Sequence, residues 1–224
     1  MKTLFSLAAT IAIAVAVVGA QGDERKRVAE ATTVIGEMMD AGDSSIPRAI
    51  LEKAEGIAVF PSLLKGGLGV GGQHGRGVLS VRDAKTGAWS APAFLTINGG
   101  SIGFQAGAQA IDLVLVVNNR RGLEQLVGNQ FKVGADASVA AGPVGRDASA
   151  STDIQMRAQI LSYSRTRGLF AGVTINGTTI RQDRDANGRF YGTAYRTGQI
   201  VFDGLGGAPE PVAAWTAALT KYAK

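Results

Sequence analysis

This chain holds no cysteine and a single histidine. Without cysteine there is no disulfide, no thiol chemistry and no acylated cysteine after a leader. One histidine, His74, excludes His-pair metal sites and leaves room for one histidine-based triad. Aromatic residues make up 6% of the chain, sparse for stacking on bases, so nucleic acid is not an expected partner. Ser80, Ser90 and Ser101 are available as nucleophiles, but no G-x-S-x-G elbow holds them. Carboxylates are scattered, and no spacing singles out an acid–base pair. The expectation is a protein that is not an enzyme, with no cofactor and no metal site.

Long apolar runs are scarce too. The run Leu4–Val18 follows Lys2 and ends in the small residues Val18-Gly19-Ala20. It is shorter than the ~20 residues that cross a bilayer as a helix. Residues 1–20 therefore read as a cleaved secretory signal, and the expected location is the periplasm or outside the cell, peripheral to a membrane. Cleavage removes Lys2 from 23 Lys+Arg set against 18 Asp+Glu, so the mature chain carries +4 where the whole carries +5. The excess is modest and mostly arginine. It suits either an anionic surface or ordinary solubility.

What the chain has in plenty is glycine, 31 of 224 residues. Lys65–Gly77 reads KGGLGVGGQHGRG, with seven glycines in thirteen positions. That density is wrong for a helix, where each glycine is unfavourable by ~1 kcal/mol relative to alanine. It predicts a sharply twisted β segment that the rest of the chain packs around.

Before it, residues 21–43 carry Val28, Ala31, Ile35, Met38 and Met39 at helical spacing, an amphipathic helix. That stripe either docks on the core or lies at a lipid interface, with Arg25, Lys26 and Arg27 near headgroups. A short second helix is expected from Pro47 to Gly56. Short strands are expected at Ile57–Phe60, Gly69–Gly72, Gly77–Arg82 and Ala93–Ile97, then one long bent strand over Ser101–Asn118. Asp112 in that strand is either a partner for a buried arginine or an outward-facing acid. Arg120–Gly128 reads as a helix and Phe131–Ala141 as a strand. A meander follows over 159–182 with Asn176-Gly177 as its hairpin turn, and Val212–Tyr222 closes the chain as a helix. The fold class is α+β: a curved antiparallel β-sheet or partly closed barrel flanked by N- and C-terminal helices, with residues 44–224 as one domain.

Two motifs are weighed and set aside. Gly67-Leu-Gly69-Val-Gly71-Gly72 satisfies G-x-G-x-x-G, but QHGRGVLSV follows it and does not open a helix. Asp183-Arg-Asp185-Ala-Asn187-Gly188 matches half a calcium loop, yet its twelfth position is Ala194 where a bidentate glutamate belongs. A solvated turn is expected there. The remaining candidates are basic: Lys65, Arg76, Arg120, Arg121, Arg146, Arg165 and Arg167. Several fall at strand ends, where arginines could converge on one rim and grip phosphate, or stay dispersed and solvated.

Eight stretches then stand in a recognisable order. They are Ala54-Glu-Gly-Ile-Ala-Val-Phe60, Gly66–Gly77, Trp89-Ser-Ala-Pro92, Gly103-x-Gln105-x-Gly107 with Asp112, Gly142-Pro143-Val-Gly145-Arg146, Tyr163-Ser164, Arg167–Gly172 and Asn187-x-x-Phe190-Tyr-Gly192. Over roughly Ser45 to Gly192 the chain resembles the SYLF domain. The resemblance implies lipid binding through basic residues and an N-terminal amphipathic helix, as eukaryotic members bind phosphoinositides and some bundle actin. No SH3 or FYVE module is expected in this sequence, and an exported chain would meet neither actin nor the usual phosphoinositides. Anionic phospholipid or lipopolysaccharide headgroups are the expected ligands. The alternatives are an envelope scaffold that binds another protein, and a hydrolase using His74.

Overall fold

Glycine bends the central strands of this protein instead of ending them. In the computed structural model, β1 runs unbroken over Gly56–Val81 and β2 over Ala93–Val117. They pair antiparallel from Gly56↔Val117 to Leu79↔Ala93, with register shifts between Phe60 and Leu63 and between Gly67 and Gly69. The several short strands expected over 57–97 are thus parts of two long ones. The structure describes residues 22–42, 45–144, 157–166, 169–172, 175, 177–207 and 209–223, with backbone alone at 68–70, 101–107 and 169–172. The expected signal segment, residues 1–20, lies outside them.

A straight strand of 26 residues would reach ~85 Å at the usual rise. This ribbon doubles back. Arg82 N–H donates to the Glu55 carbonyl at 2.8 Å, so the residues flanking the two ends of β1 are bonded to each other. The far edge of β2 takes β5 (Ile160–Thr166) at residues 112–117 and β7 (Thr178–Gln182) at residues 95–99. β3 (Gln130–Lys132) joins β7, while β4 (Val139–Ala141) and β6 (Leu169–Gly172) join β5. Seven strands among the described residues make one curled half-barrel sheet. The architecture is α+β with helices at both ends, as the composition and periodicity implied.

Two details differ from the sequence reading. β7 leaves the expected meander and pairs with β2 and β3, and the stretch 131–141 is two short strands separated by a turn. The physical reason is that β2 is long enough to seat two partners on one edge, a length no local pattern records.

Toward the ends of β1 and β2 both faces of the sheet are buried, which is why those stretches read as continuous apolar runs. Ile57, Val59, Val114 and Val116 point to one core, with Val28, Ile35 and Met38 of α1 (22–39), Leu51 of α2 (Arg48–Lys53) and Trp215 and Leu219 of the C-terminal helix. Ala58, Phe60, Leu113 and Leu115 point to the other, with Leu123 and Leu126 of α3 (Arg120–Val127) and Phe131 and Ile180. Two further helices, α4 (Arg184–Tyr191) and α5 (Thr197–Val201), precede α6 (Val212–Tyr222).

The calcium-like segment is neither a calcium loop nor a solvated turn. Asp183 caps α4 by accepting from Ala186 N–H at 3.0 Å. Asn187, fully buried, accepts from Phe94 N–H at 2.9 Å and donates to the Tyr195 carbonyl at 2.9 Å. Gly142, Tyr163 and Trp89, from the stretches quoted above, are packing devices as well. The ring of Tyr163 lies where a Cβ on Gly142 would be, 2.1 Å from that position, and Arg82 stacks on Trp89 at 5.0 Å.

Candidate functional site

On α1 the apolar stripe Val28, Ala31, Ile35, Met38 is buried, so this helix docks and does not offer that face to lipid. A second, polar stripe runs beside it. Asp23, Lys26, Arg27 and Glu30 follow i, i+3, i+4, i+7 spacing and form one wall of a groove of about 440 Å³. The middle of β1 forms the other wall, through Ser62, Leu64, His74 and Arg76. Leu64 is 58% exposed, an apolar lip. Ser62 has φ 50°, in the left-handed region, at the register shift that follows Phe60. Its N–H donates to Asp112 Oδ1 at 2.9 Å, which holds the bulge in shape.

The expected basic residues separate into distinct roles. Lys26 and Arg76 are exposed at the groove, and Lys26 Nζ lies a loose 3.7 Å from Glu30. Arg76 makes no ion pair among the described residues. Arg25 is exposed on the same helix. Arg27, expected near headgroups, is 5% exposed instead. It pairs with Asp183 at 3.3 Å and Glu24 at 3.4 Å and lies 5.1 Å over the Phe94 ring. Burial lowers its pKa most; Asp183 opposes that shift, and the nearby charge of Arg76 adds to it. Lys65 is half-buried, and burial lowers its pKa as well.

Arg165 is another correction. Its Nε and Nη2 donate to Asp112 Oδ2 at 2.9 and 2.6 Å, and Nη1 pairs with Glu37 of α1. Burial pulls its pKa down, but the bonds and charges of Asp112 and Glu37 outweigh that and raise it. Asp112 is thus the arginine partner, one of its two expected roles. Arg120 pairs with Glu124 at 3.0 Å and lies 4.4 Å over Phe202, lining a different groove of about 520 Å³ beside the 82–90 turn. Arg121 is exposed on the same helix. Arg146 and Arg167 lie outside the described residues. The sequence left open one basic rim or a dispersed set; the described cations are divided, with Lys26 and Arg76 at one groove and Arg120 at another.

His74 sits exposed with Nδ1 2.6 Å from Asn98 Oδ1, so its described partner is an amide and no serine. Sequence reasoning passed over Asp23, Glu30, Ser62 and Leu64. The polar i, i+3, i+4, i+7 stripe of α1 was the signal that could have found the first two.

The fold is a curled, mostly antiparallel half-barrel, with β4 and β5 parallel, and it carries a polar groove between α1 and the middle of β1. The chain belongs to the Ysc84 (SYLF) family, whose profile, described as Las17-binding protein actin regulator, matches residues 98–222. It is 34% identical over 173 residues to the SH3 domain-containing YSC84-like protein 1 of Rattus norvegicus, covering 77% of this chain and 49% of that protein. The Homo sapiens protein of the same name is equally similar, 34% over 173 residues. LAS seventeen-binding protein 3 of Saccharomyces cerevisiae is 36% identical over 155 residues, 67% of this chain and 33% of its own length. The chain spans about half the length, or less, of these curated relatives.

Proposed function

We propose that this protein is a non-catalytic, peripheral binder of anionic phospholipid or lipopolysaccharide headgroups at a bacterial envelope membrane, acting after export. The observation that carries the reading is the α1–β1 groove, where exposed Lys26 and Arg76 flank a protruding Leu64. Each basic residue near an anionic surface contributes ~1 kcal/mol, so Arg25, Lys26 and Arg76 give a weak, salt-sensitive hold that shallow insertion of Leu64 strengthens. The yeast relative is named as a binding protein, which supports binding over turnover. The test is flotation of residues 21–224 with phosphatidylglycerol and with phosphatidylcholine vesicles at low and high salt. Binding to the first alone, weakened by salt and by Arg76→Ala, supports the reading; equal binding to both, or none, removes it.

A second reading, binding of another protein, draws on the Las17-binding description of the family and on Phe202, exposed beside Arg120. A stoichiometric partner captured at high salt and lost in Phe202→Ser would favour it.

A further inference from the structure

We infer that the α1–β1 groove takes an aminoalkyl phosphate, specifically the phosphoethanolamine headgroup of a membrane lipid. This rests on the reading that the groove faces a bilayer. The groove is not a simple basic patch. Its exposed cations, Lys26 and Arg76, are matched by two carboxylates, Asp23 and Glu30. Arg27 lines it too, but its charge is already answered by Asp183 and Glu24. A purely anionic headgroup uses the two cations and leaves the carboxylates idle, whereas a zwitterion meets a partner for each end.

The two ends have distinct homes. Arg76 has no acidic partner among the described residues, and its charge bears on Arg27. A phosphate at Arg76 relieves that repulsion, with the Ser62 residue held alongside by its bulge. On the helix wall, Glu30 and Lys26 are only loosely joined at 3.7 Å, both largely exposed. That contact opens at little cost, freeing Glu30 together with Asp23 for a primary ammonium and Lys26 for the phosphate. Leu64 at the lip is where the glycerol end would leave the groove, which favours a lipid over a free metabolite. A choline headgroup carries the same charges but no N–H to donate, so the carboxylates distinguish ethanolamine from choline.

The experiment uses the mature chain and vesicles with a constant fraction of phosphatidylglycerol, the remainder being phosphatidylethanolamine or phosphatidylcholine. Binding is expected to be about fivefold tighter with ethanolamine lipid. The double variant Asp23→Asn/Glu30→Gln, whose positions are exposed, should erase that difference and keep the phosphatidylglycerol-dependent binding. Soluble O-phosphoethanolamine should shift the amide signals of Ser62 and Arg76 more than inorganic phosphate or ethanolamine alone. Equal affinity for the two vesicle types, or a preference that survives in the double variant, overturns the inference while leaving the membrane reading intact. Saturation by soluble O-phosphoethanolamine without any vesicle preference overturns the lipid assignment in favour of a free metabolite. Absence of binding to every vesicle overturns the inference and the membrane reading together.

Discussion

Gly77 crosses the carbonyl of Val59 at a distance that only a hydrogen atom on Cα permits. A Cβ there would lie 2.4 Å from that oxygen and 2.5 Å from the Phe60 ring. Both obstacles belong to the same strand as Gly77, eighteen and seventeen residues earlier in β1, where the ribbon has doubled back.

Gly77→Ala should therefore force the two ends of β1 apart and lower stability by about 3 kcal/mol, the upper end for overpacking a rigid contact. Gly100→Ala is the control, because a Cβ at Gly100 meets nothing within 4 Å. It should change stability by less than ~0.5 kcal/mol. Urea unfolding of both variants checks this. Equal midpoints would mean that the ribbon does not cross itself.

How much of this was legible depended on how local the cause was. α3 and α6 were readable because their apolar residues repeat every three or four positions, and Trp215 and Leu219 are indeed buried. The segment 183–192 was not, because D-x-D-x-N-G chemistry serves a helix cap as well as a calcium loop. What decides between them is Phe94 N–H, 93 residues away in sequence. The groove was half legible: Lys26 and Arg76 stood out as charges, while Arg27 and Arg165 looked the same and are tied up by distant acids. Spacing along one chain does not reveal which cation meets a carboxylate from another element.

Asp112 holds two elements at once, accepting from Ser62 N–H at 2.9 Å and from the Arg165 guanidinium at 2.9 and 2.6 Å. Asp112→Ala strands both donors at a partly buried site and should cost about 2 kcal/mol. Arg165→Met alone should cost about as much, since it leaves Asp112 and Glu37 without their cation. The double variant should fall short of the sum by about 1 kcal/mol, the signature of a coupled pair. Additive losses would break the assignment.

Alkaline pH should act through two tyrosines. Burial pushes the Tyr163 and Tyr191 phenols well above their ordinary value, and Tyr191 donates to the Pro92 carbonyl at 2.6 Å. Below about pH 10 these phenols are neutral folded and unfolded alike, so they leave stability unchanged there. Above it the unfolded chain releases protons that the folded chain retains, and stability falls by about 1.4 kcal/mol per pH unit for each tyrosine. Phenolate absorbance should show these two residues ionising only with unfolding. Tyr163→Phe should lessen the fall of stability with pH in this range by about 1.4 kcal/mol per pH unit.

Arg25 and Arg27 stand two positions apart on α1 and should behave oppositely. Arg27 lies between Glu24 and Asp183, and Glu24 also accepts from Arg189 at 2.8 Å. Glu24 is fully buried, and its Oε2 has no partner among the described residues, so the cluster is short of donors before any change is made. Arg27→Met removes a donor from both carboxylates and should cost about 3 kcal/mol, the lower end for breaking a buried pair. Hydrogen exchange along 22–39 should rise before the sheet loosens, because that cluster is what ties the first turns of α1 to α4. Arg25→Ala, exposed, should leave stability within ~0.5 kcal/mol and weaken vesicle binding modestly. If Arg27→Met unfolds no more easily than Arg25→Ala and instead loses vesicle binding, then Arg27 faces the membrane, and α1 is not docked as the ion pairs require.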